Sequence, residues 1–118
     1  MTEELSIEVS TASVQYAVVH LAGFINLDTS EMLYEAMQDI FNANASRSLI
    51  FKVDEVEFVS SAGVGVFMSL YEQLEEEGGK VVFVGLSDSF RRVLDLLGFL
   101  SYFEDCQTIE TAETICAN

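Results

Sequence analysis

The chain contains no proline, no tryptophan and only two cysteines among its 118 residues. Cys106 and Cys116 are too few for a disulfide framework or for a metal site built from several thiolates. No apolar run approaches the roughly 18 residues that suggest a membrane span. The start of the chain, residues 1–4, is acidic where a signal peptide would be positively charged. We therefore expect a cytoplasmic protein with no direct membrane insertion.

Positive charge is also scarce. Five Lys and Arg residues stand against 20 Asp and Glu residues, which gives a formal net charge of −15. Nucleic-acid binding depends on Lys and Arg side chains that displace counterions from phosphates, so a nucleic-acid partner is excluded. An anionic membrane surface is excluded for the same reason. The natural complement of such a chain is a protein with a basic surface.

Half of the residues are hydrophobic, and a chain of this length buries about two-thirds of its unfolded surface, which is enough for one core. We expect a single domain over residues 1–118. Apolar residues follow strand periodicity in some segments and helix periodicity in others. The predicted strands are 5–9, 14–21, 48–53, 80–84 and one that begins at Tyr102. The predicted helices begin near Asp28, Ser61, Ser87 and Ile109.

This order of elements predicts an α/β fold. We expect a mixed, mostly parallel sheet of about five strands with about four helices. Residues 10–13 are typical of a hairpin turn, so the first strand should lie antiparallel at the edge of the sheet. Asp28 is the predicted cap of the first helix, because Glu31 follows it at capping-box spacing.

Residues 54–67 carry the strongest functional signal. An acidic turn is predicted to follow a strand, and Ser60 and Ser61 then precede a helix whose first turns contain Gly63 and Gly65. Each glycine costs about 1 kcal/mol relative to alanine inside a helix. Either serine could simply cap the helix. The exposed N–H groups and partial positive charge of such a helix start also accommodate a phosphate.

The segment Ser-Ser-Ala-Gly-Val-Gly at 60–65 resembles the phosphorylation motif of STAS domains. That motif is Asp-Ser-Ser/Thr-Gly-Leu-Gly in the anti-sigma factor antagonists of bacterial partner-switching systems. Residues 23–30 resemble the family's Gly-x-Leu-Asp-x-x-Thr-Ala segment before its first helix, and residues 85–99 resemble its third helix, with Arg-Val-Leu and a following Gly. The three segments occur in the family's order and cover nearly the whole chain.

The resemblance implies an anti-sigma factor antagonist. The unphosphorylated form of such a protein binds an anti-sigma factor with serine kinase activity and frees a sigma factor; phosphorylation releases it, and a serine phosphatase resets it. Alignment on the glycines makes Ser61 the predicted phosphorylation site, with Ser60 as second choice. Ser60 and Asn26 stand where many members have Asp. The predicted partner-binding residues are Asn26, Phe58, Val59, Ser60, Ser61, Ala62, Gly63, Gly65 and Val66. Val66 is expected to face outward as an apolar anchor.

Other functions have less support. A serine hydrolase needs a base beside its nucleophile, but the only histidine, His20, lies within a predicted strand. The Gly-x-Ser-x-Gly motif of many serine hydrolases is also absent from the sequence. The Gly-Lys-Ser/Thr of a P-loop and the Asp-rich loop of a calcium site are also missing. We expect no enzyme activity, no cofactor and no metal site. The alternative within the same fold is an adaptor subunit of a signalling scaffold or lipid-transport complex that is not phosphorylated.

Overall fold

The computed structural model of the protein describes residues 4–117, without the side chain of Asn44. Within this range the strands are β1 Leu5–Ala12, β2 Tyr16–Ile25, β3 Ser48–Val59, β4 Val81–Val84 and β5 Glu104–Cys106. The helices are α1 Leu27–Asn44, α2 Ser61–Glu75, α3 Asp88–Leu96 and α4 Ile109–Ala117, and a 3-10 turn at Leu100–Tyr102 precedes β5.

The five strands lie side by side in chain order. β1 is antiparallel to β2, whereas β2, β3, β4 and β5 are mutually parallel. α1, α2 and α3 pack into one core cluster and so lie on one face of the sheet, as expected when all crossovers between parallel strands have the same hand. α4 packs on part of the other face. The prediction of a mixed, mostly parallel sheet with an antiparallel edge strand is confirmed.

The core is divided by the sheet into two hydrophobic clusters. In the larger cluster, under α1–α3, the Phe67 ring contacts Phe51 and Phe83 edge-to-face with centroids 5.1 Å apart in both pairs. Edge-to-face aromatic contacts add about 1 kcal/mol each beyond the area that they bury. This cluster fixes α2 against the centre of the sheet. The smaller cluster, under α4, contains Val18, Ile50, Val82, Val84, Ala112 and Cys116.

β3 continues to Val59 instead of ending at residue 53, so the predicted acidic turn is part of a strand. Its buried residues in this part are Val53, Val56 and Val59, at every third position. The register between β2 and β3 shifts at two irregularities in the same region, which explains why simple alternation is lost. As a result β3 ends directly before Ser60 and beside the end of β2.

Other boundaries also differ from prediction. The turn between β1 and β2 lies at residues 13–15, where the Ser13 N–H donates to the Tyr16 carbonyl at 3.0 Å, and β2 extends to Ile25. β5 begins at Glu104 because the residues before it form the 3-10 turn. Leu97 follows the last residue of α3 and is exposed.

Candidate functional site

β2 and β3 end side by side, with Ile25 opposite Val59. The Ser60 N–H donates to the Ile25 carbonyl at 2.8 Å, which ties the two strand ends together. Because α1 and α2 begin immediately after these strands, their N-termini are neighbours. Residues 24–29 and 57–66 together are called the capped edge below.

The start of α1 is held by Asn26 and not, as predicted, by Asp28. The Asn26 Oδ1 accepts the N–H groups of Asp28 at 3.1 Å and Thr29 at 3.0 Å. In return the Thr29 Oγ1 accepts the Asn26 N–H at 2.8 Å and donates to the Phe24 carbonyl at 2.7 Å. This reciprocal pair starts the helix at Leu27, so Asp28 falls inside the first turn.

The start of α2 separates the roles of its two serines. Ser60 is the cap: its Oγ accepts the Gly63 N–H at 3.1 Å. Ser61 is the first helical residue and is exposed, and its hydroxyl makes no hydrogen bond to any other residue in the range 4–117. The fold therefore uses the hydroxyl of Ser60 and leaves the hydroxyl of Ser61 open to solvent.

The two glycines of this segment have different surroundings. A Cβ at Gly63 would lie 2.6 Å from the Cγ2 of Ile25 and 3.1 Å from the Cγ2 of Val59. Glycine is needed there because α2 lies directly on the ends of β2 and β3. A Cβ at Gly65 would have no atom within 4 Å. Nothing inside the fold requires glycine at position 65, so its bare surface is open to an external partner.

Two hollows flank the capped edge. One, of about 110 Å³, lies between the end of β3 and α3 and is lined in part by Glu57, Phe58 and Ser89. The other, of about 450 Å³, lies between the start of β1 and α1 and is lined in part by Asp28 and Met32. Neither hollow has a Lys or Arg among the described residues that line it. An anion at this edge would therefore depend on helix N–H groups for stabilisation.

The STAS domain family model matches residues 7–114. The chain belongs to the STAS family. A relative from Listeria monocytogenes, named anti-sigma-B factor antagonist, is 26% identical over 100 residues, covering 85% of this chain and 87% of that protein. The solved structure of the anti-sigma factor antagonist SpoIIAA in its unphosphorylated form matches with a TM-score of 0.81 at 18% identity, over 96% and 98% of the two chains. The phosphorylated form of SpoIIAA from Bacillus matches with a TM-score of 0.73 at 18% identity, over 93% and 99%. These structural matches confirm the predicted STAS fold.

The STAS fold brings the predicted partner-binding residues to the capped edge, but not all of them face outward. Val59 and Gly63 are buried, so they support this edge from inside. Val66 is half-buried and packs in part against the larger core cluster, so it presents only part of its surface outward. Phe58, in contrast, is 48% exposed. Asn26 lies at the edge with its side chain engaged in the α1 cap.

Two exposed apolar residues at or next to the capped edge were not predicted from the sequence. Leu27 is 69% exposed and Met32 is 44% exposed. Both lie off the helical stripe formed by Leu33, Met37 and Ile40, which is buried. Helical spacing alone would have placed them outside, and their size would have marked them as candidate contacts. With Phe58 they are large exposed apolar side chains in this part of the molecule.

The remaining reactive side chains lie elsewhere in the STAS domain. The His20 Nε2 is 3.0 Å from the Ser10 Oγ, on β2 and β1, and is not paired with Ser61. Burial raises the pKa of the thiols of Cys106 and Cys116, which keeps both protonated at neutral pH. Within residues 4–117 no three His, Cys, Asp or Glu side chains gather as a metal site. The same part of the chain has no helix that is both long and apolar enough to cross a membrane.

Proposed function

We propose that this chain is an anti-sigma factor antagonist whose binding is switched by phosphorylation of Ser61. The unphosphorylated chain binds an anti-sigma factor with serine kinase activity, which frees a sigma factor. The kinase transfers a phosphoryl group from ATP to the Ser61 hydroxyl, the pair separates, and a serine phosphatase hydrolyses the phosphate. STAS membership and the relative in Listeria monocytogenes named anti-sigma-B factor antagonist support this role. The chain acts by binding and is the substrate of the two enzymes.

One observation carries the proposal. The Ser60 hydroxyl is hydrogen-bonded in the α2 cap, whereas the neighbouring Ser61 hydroxyl has no hydrogen-bond partner among the described residues. A phosphoryl group on Ser61 leaves the α2 cap in place, since that cap comes from Ser60. The group adds about −1.5 to −2 charge at neutral pH. The N–H groups and partial positive charge of the α2 start stabilise that charge, so the folded domain accepts it.

The partner covers Ser61 and also contacts exposed apolar side chains, namely Phe58 and Leu27 of the capped edge and Met32 in the following turn of α1. Gly65 allows the partner to approach α2 closely. The net charge of −15 favours basic groups on the partner at the rim of this contact, with neutral groups opposite Ser61. A phosphate buried against neutral groups costs several kcal/mol. A loss of about 3 kcal/mol lowers affinity more than a hundredfold, which is sufficient for a switch.

The first test is a map of phosphate on the protein purified from its own cells. Samples from several growth and stress conditions, with and without phosphatase treatment, are compared by peptide mass spectrometry. Phosphate on Ser61 in a condition-dependent fraction supports the proposal. Phosphate on Ser60 alone would move the switch by one residue and remove the α2 cap. Phosphate on neither serine in any condition contradicts the switch and favours the adaptor alternative.

The second test measures binding to the purified anti-sigma factor kinases of the same organism. Ser61→Asp should bind at least a hundredfold more weakly than the wild type, for the reason given above. Ser61→Ala should bind normally and accept no phosphate. The matched control is Ser101→Asp, which adds the same charge at an exposed serine of the 3-10 turn, away from the capped edge. Equal affinities for the wild type and Ser61→Asp would contradict the proposed switch.

A further inference from the structure

A third hollow lies at the opposite ends of α1 and α2 from the capped edge. Its volume is about 500 Å³. The turn between β1 and β2, the last turn of α1, the segment that follows it and the end of α2 form its walls. The residues that line it include Val14, Phe41, Arg47, Leu74 and Glu77.

One side of this hollow is apolar. Leu74 is buried and Phe41 is half-buried, so both present only part of their surface to it. Val14, on the turn, is 70% exposed. Ligand sites in proteins are typically lined by such apolar and aromatic groups, with a few polar groups that fix orientation. An apolar group of a ligand placed here would cover surface that the fold leaves in water.

The polar side of the hollow carries one charge of each sign. Arg47 and Glu77 are both exposed, and neither forms an ion pair with another described residue. An Nη of Arg47 lies 3.0 Å from the position that a Cβ would occupy at Gly78. Glycine at this position therefore leaves room for the guanidinium beside the end of α2. Its N–H groups are free to bind a carboxylate.

The helix ends at the hollow favour a positive group. Neither α1 nor α2 has a basic residue in its last turn. The last carbonyls of a helix carry a partial negative charge and accept hydrogen bonds from cations. Glu77 adds a full negative charge beside them. A bare carboxylate in the hollow would be repelled by these groups, and a bare amine would be repelled by Arg47.

We propose that this hollow binds an α-amino acid with an apolar side chain. The ligand's carboxylate pairs with Arg47, its ammonium group pairs with Glu77 near the negative ends of α1 and α2, and its side chain packs on Val14, Phe41 and Leu74. A zwitterion satisfies both charges at once. Exposed ion pairs contribute little, so we expect a dissociation constant of about 1 mM for a ligand of this size. Neither the site nor its test depends on the proposed phosphorylation switch.

The test is an NMR titration of the full chain with L-phenylalanine and two matched probes. 2-Phenylethylamine lacks the carboxylate, and 3-phenylpropanoate lacks the ammonium group. L-Phenylalanine should cause saturable shifts of the backbone amides of Val14, Phe41 and Leu74. Each matched probe should bind about fivefold more weakly, because it loses one exposed ion pair. The absence of saturable shifts at about 20 mM L-phenylalanine, or equal affinity for either matched probe, would overturn the proposal.

Variants locate the site. Arg47→Gln should weaken binding of L-phenylalanine about fivefold, while Arg92→Gln, at an exposed arginine of α3, should leave it unchanged. Val14→Ser removes part of the apolar surface that lines the hollow, and Val14 lies on an exposed turn outside the core. This variant should weaken binding of L-phenylalanine about threefold. The Val14→Ser result holds even if Arg47→Gln does not fold. Unchanged binding in either folded variant would contradict the assignment.

Discussion

The two helices that begin at the capped edge start in different ways. At α1, Asn26 and Thr29 exchange hydrogen bonds, and Asp28 adds a carboxylate to the first turn. At α2, Ser60 supplies one side-chain hydrogen bond, to Gly63, and the first turn contains no acidic residue. The two starts are neighbours on parallel strands, so they share much of their surroundings and differ mainly in sequence.

The difference concerns which N–H groups the fold itself satisfies. Side-chain oxygens and a carboxylate compensate the positive end of α1, whereas at the start of α2 the N–H groups of Ser61 and Ala62 have no partner among the described residues and remain for water or for an added group. A strong cap and good helix formers would make α2 more stable, but they would also remove the place where a phosphate fits. A weakly capped start at Ser61 is the arrangement that the proposed switch needs.

The largest effect is expected where α2 touches the strands. Gly63→Ala places a Cβ 2.6 Å from a buried methyl group of Ile25. Overpacking of this kind costs about 2.5 kcal/mol, because neither the strand end nor the helix start has space to move. Urea unfolding of the variant and the wild type measures the loss. A change below about 0.5 kcal/mol would mean that α2 is not held against β2 as described.

The caps themselves provide the next largest effect. Asn26→Ala removes the acceptor of two N–H groups and should cost about 1.5 kcal/mol, whereas Ser60→Ala removes the acceptor of one and should cost about 0.7 kcal/mol. Both are measured as free energies of unfolding in the same buffer. If Ser60→Ala cost more than Asn26→Ala, the stronger cap would belong to α2 and the comparison would be reversed.

The sequence was sufficient to predict the fold but not the ends of its strands. Helices and central strands follow from apolar spacing and from stop signals such as the two glycines after α2, so their order was predictable. The continuation of β3 through Asp54 and Glu57 was not, because the irregular register with β2 changes the spacing of its buried residues from two to three. That register depends on contact between two strands, which no local pattern contains.

The capped edge was predicted in position and only partly in role. Asn26 and Thr29 have the residue types and spacing of a reciprocal cap, so the cap of α1 could have been found from sequence. The separation between Ser60 as cap and Ser61 as open hydroxyl required the backbone, since either serine satisfies the same local pattern. The different tasks of Gly63 and Gly65 depend on what lies opposite each of them, and sequence spacing does not give that.

Gly65 offers a smaller effect of opposite sign. Gly65→Ala meets no neighbouring atom and lies in a helix, so it should stabilise the domain by about 0.7 kcal/mol. Thermal and urea unfolding should both show the increase. The same variant should weaken binding to the anti-sigma factor kinase if the partner approaches α2 at this position. A loss of stability instead would mean that glycine is required by the fold at position 65 as it is at position 63.

The smallest effect tests the electrostatic difference directly. Ser61→Asp places a carboxylate in the uncompensated first turn of α2 and should stabilise the isolated domain by about 0.5 kcal/mol at low ionic strength. Leu27→Asp is the matched change at the first residue of α1, where Asn26 and Asp28 already compensate the helix end, so its gain should be smaller. Salt should remove most of either gain, because both positions are exposed.

The Ser61→Asp variant would then be more stable than the wild type while binding its partner more weakly, so its loss of binding could not be attributed to unfolding. An equal or larger gain for Leu27→Asp would show that the two helix starts do not differ in the way that the proposed switch requires.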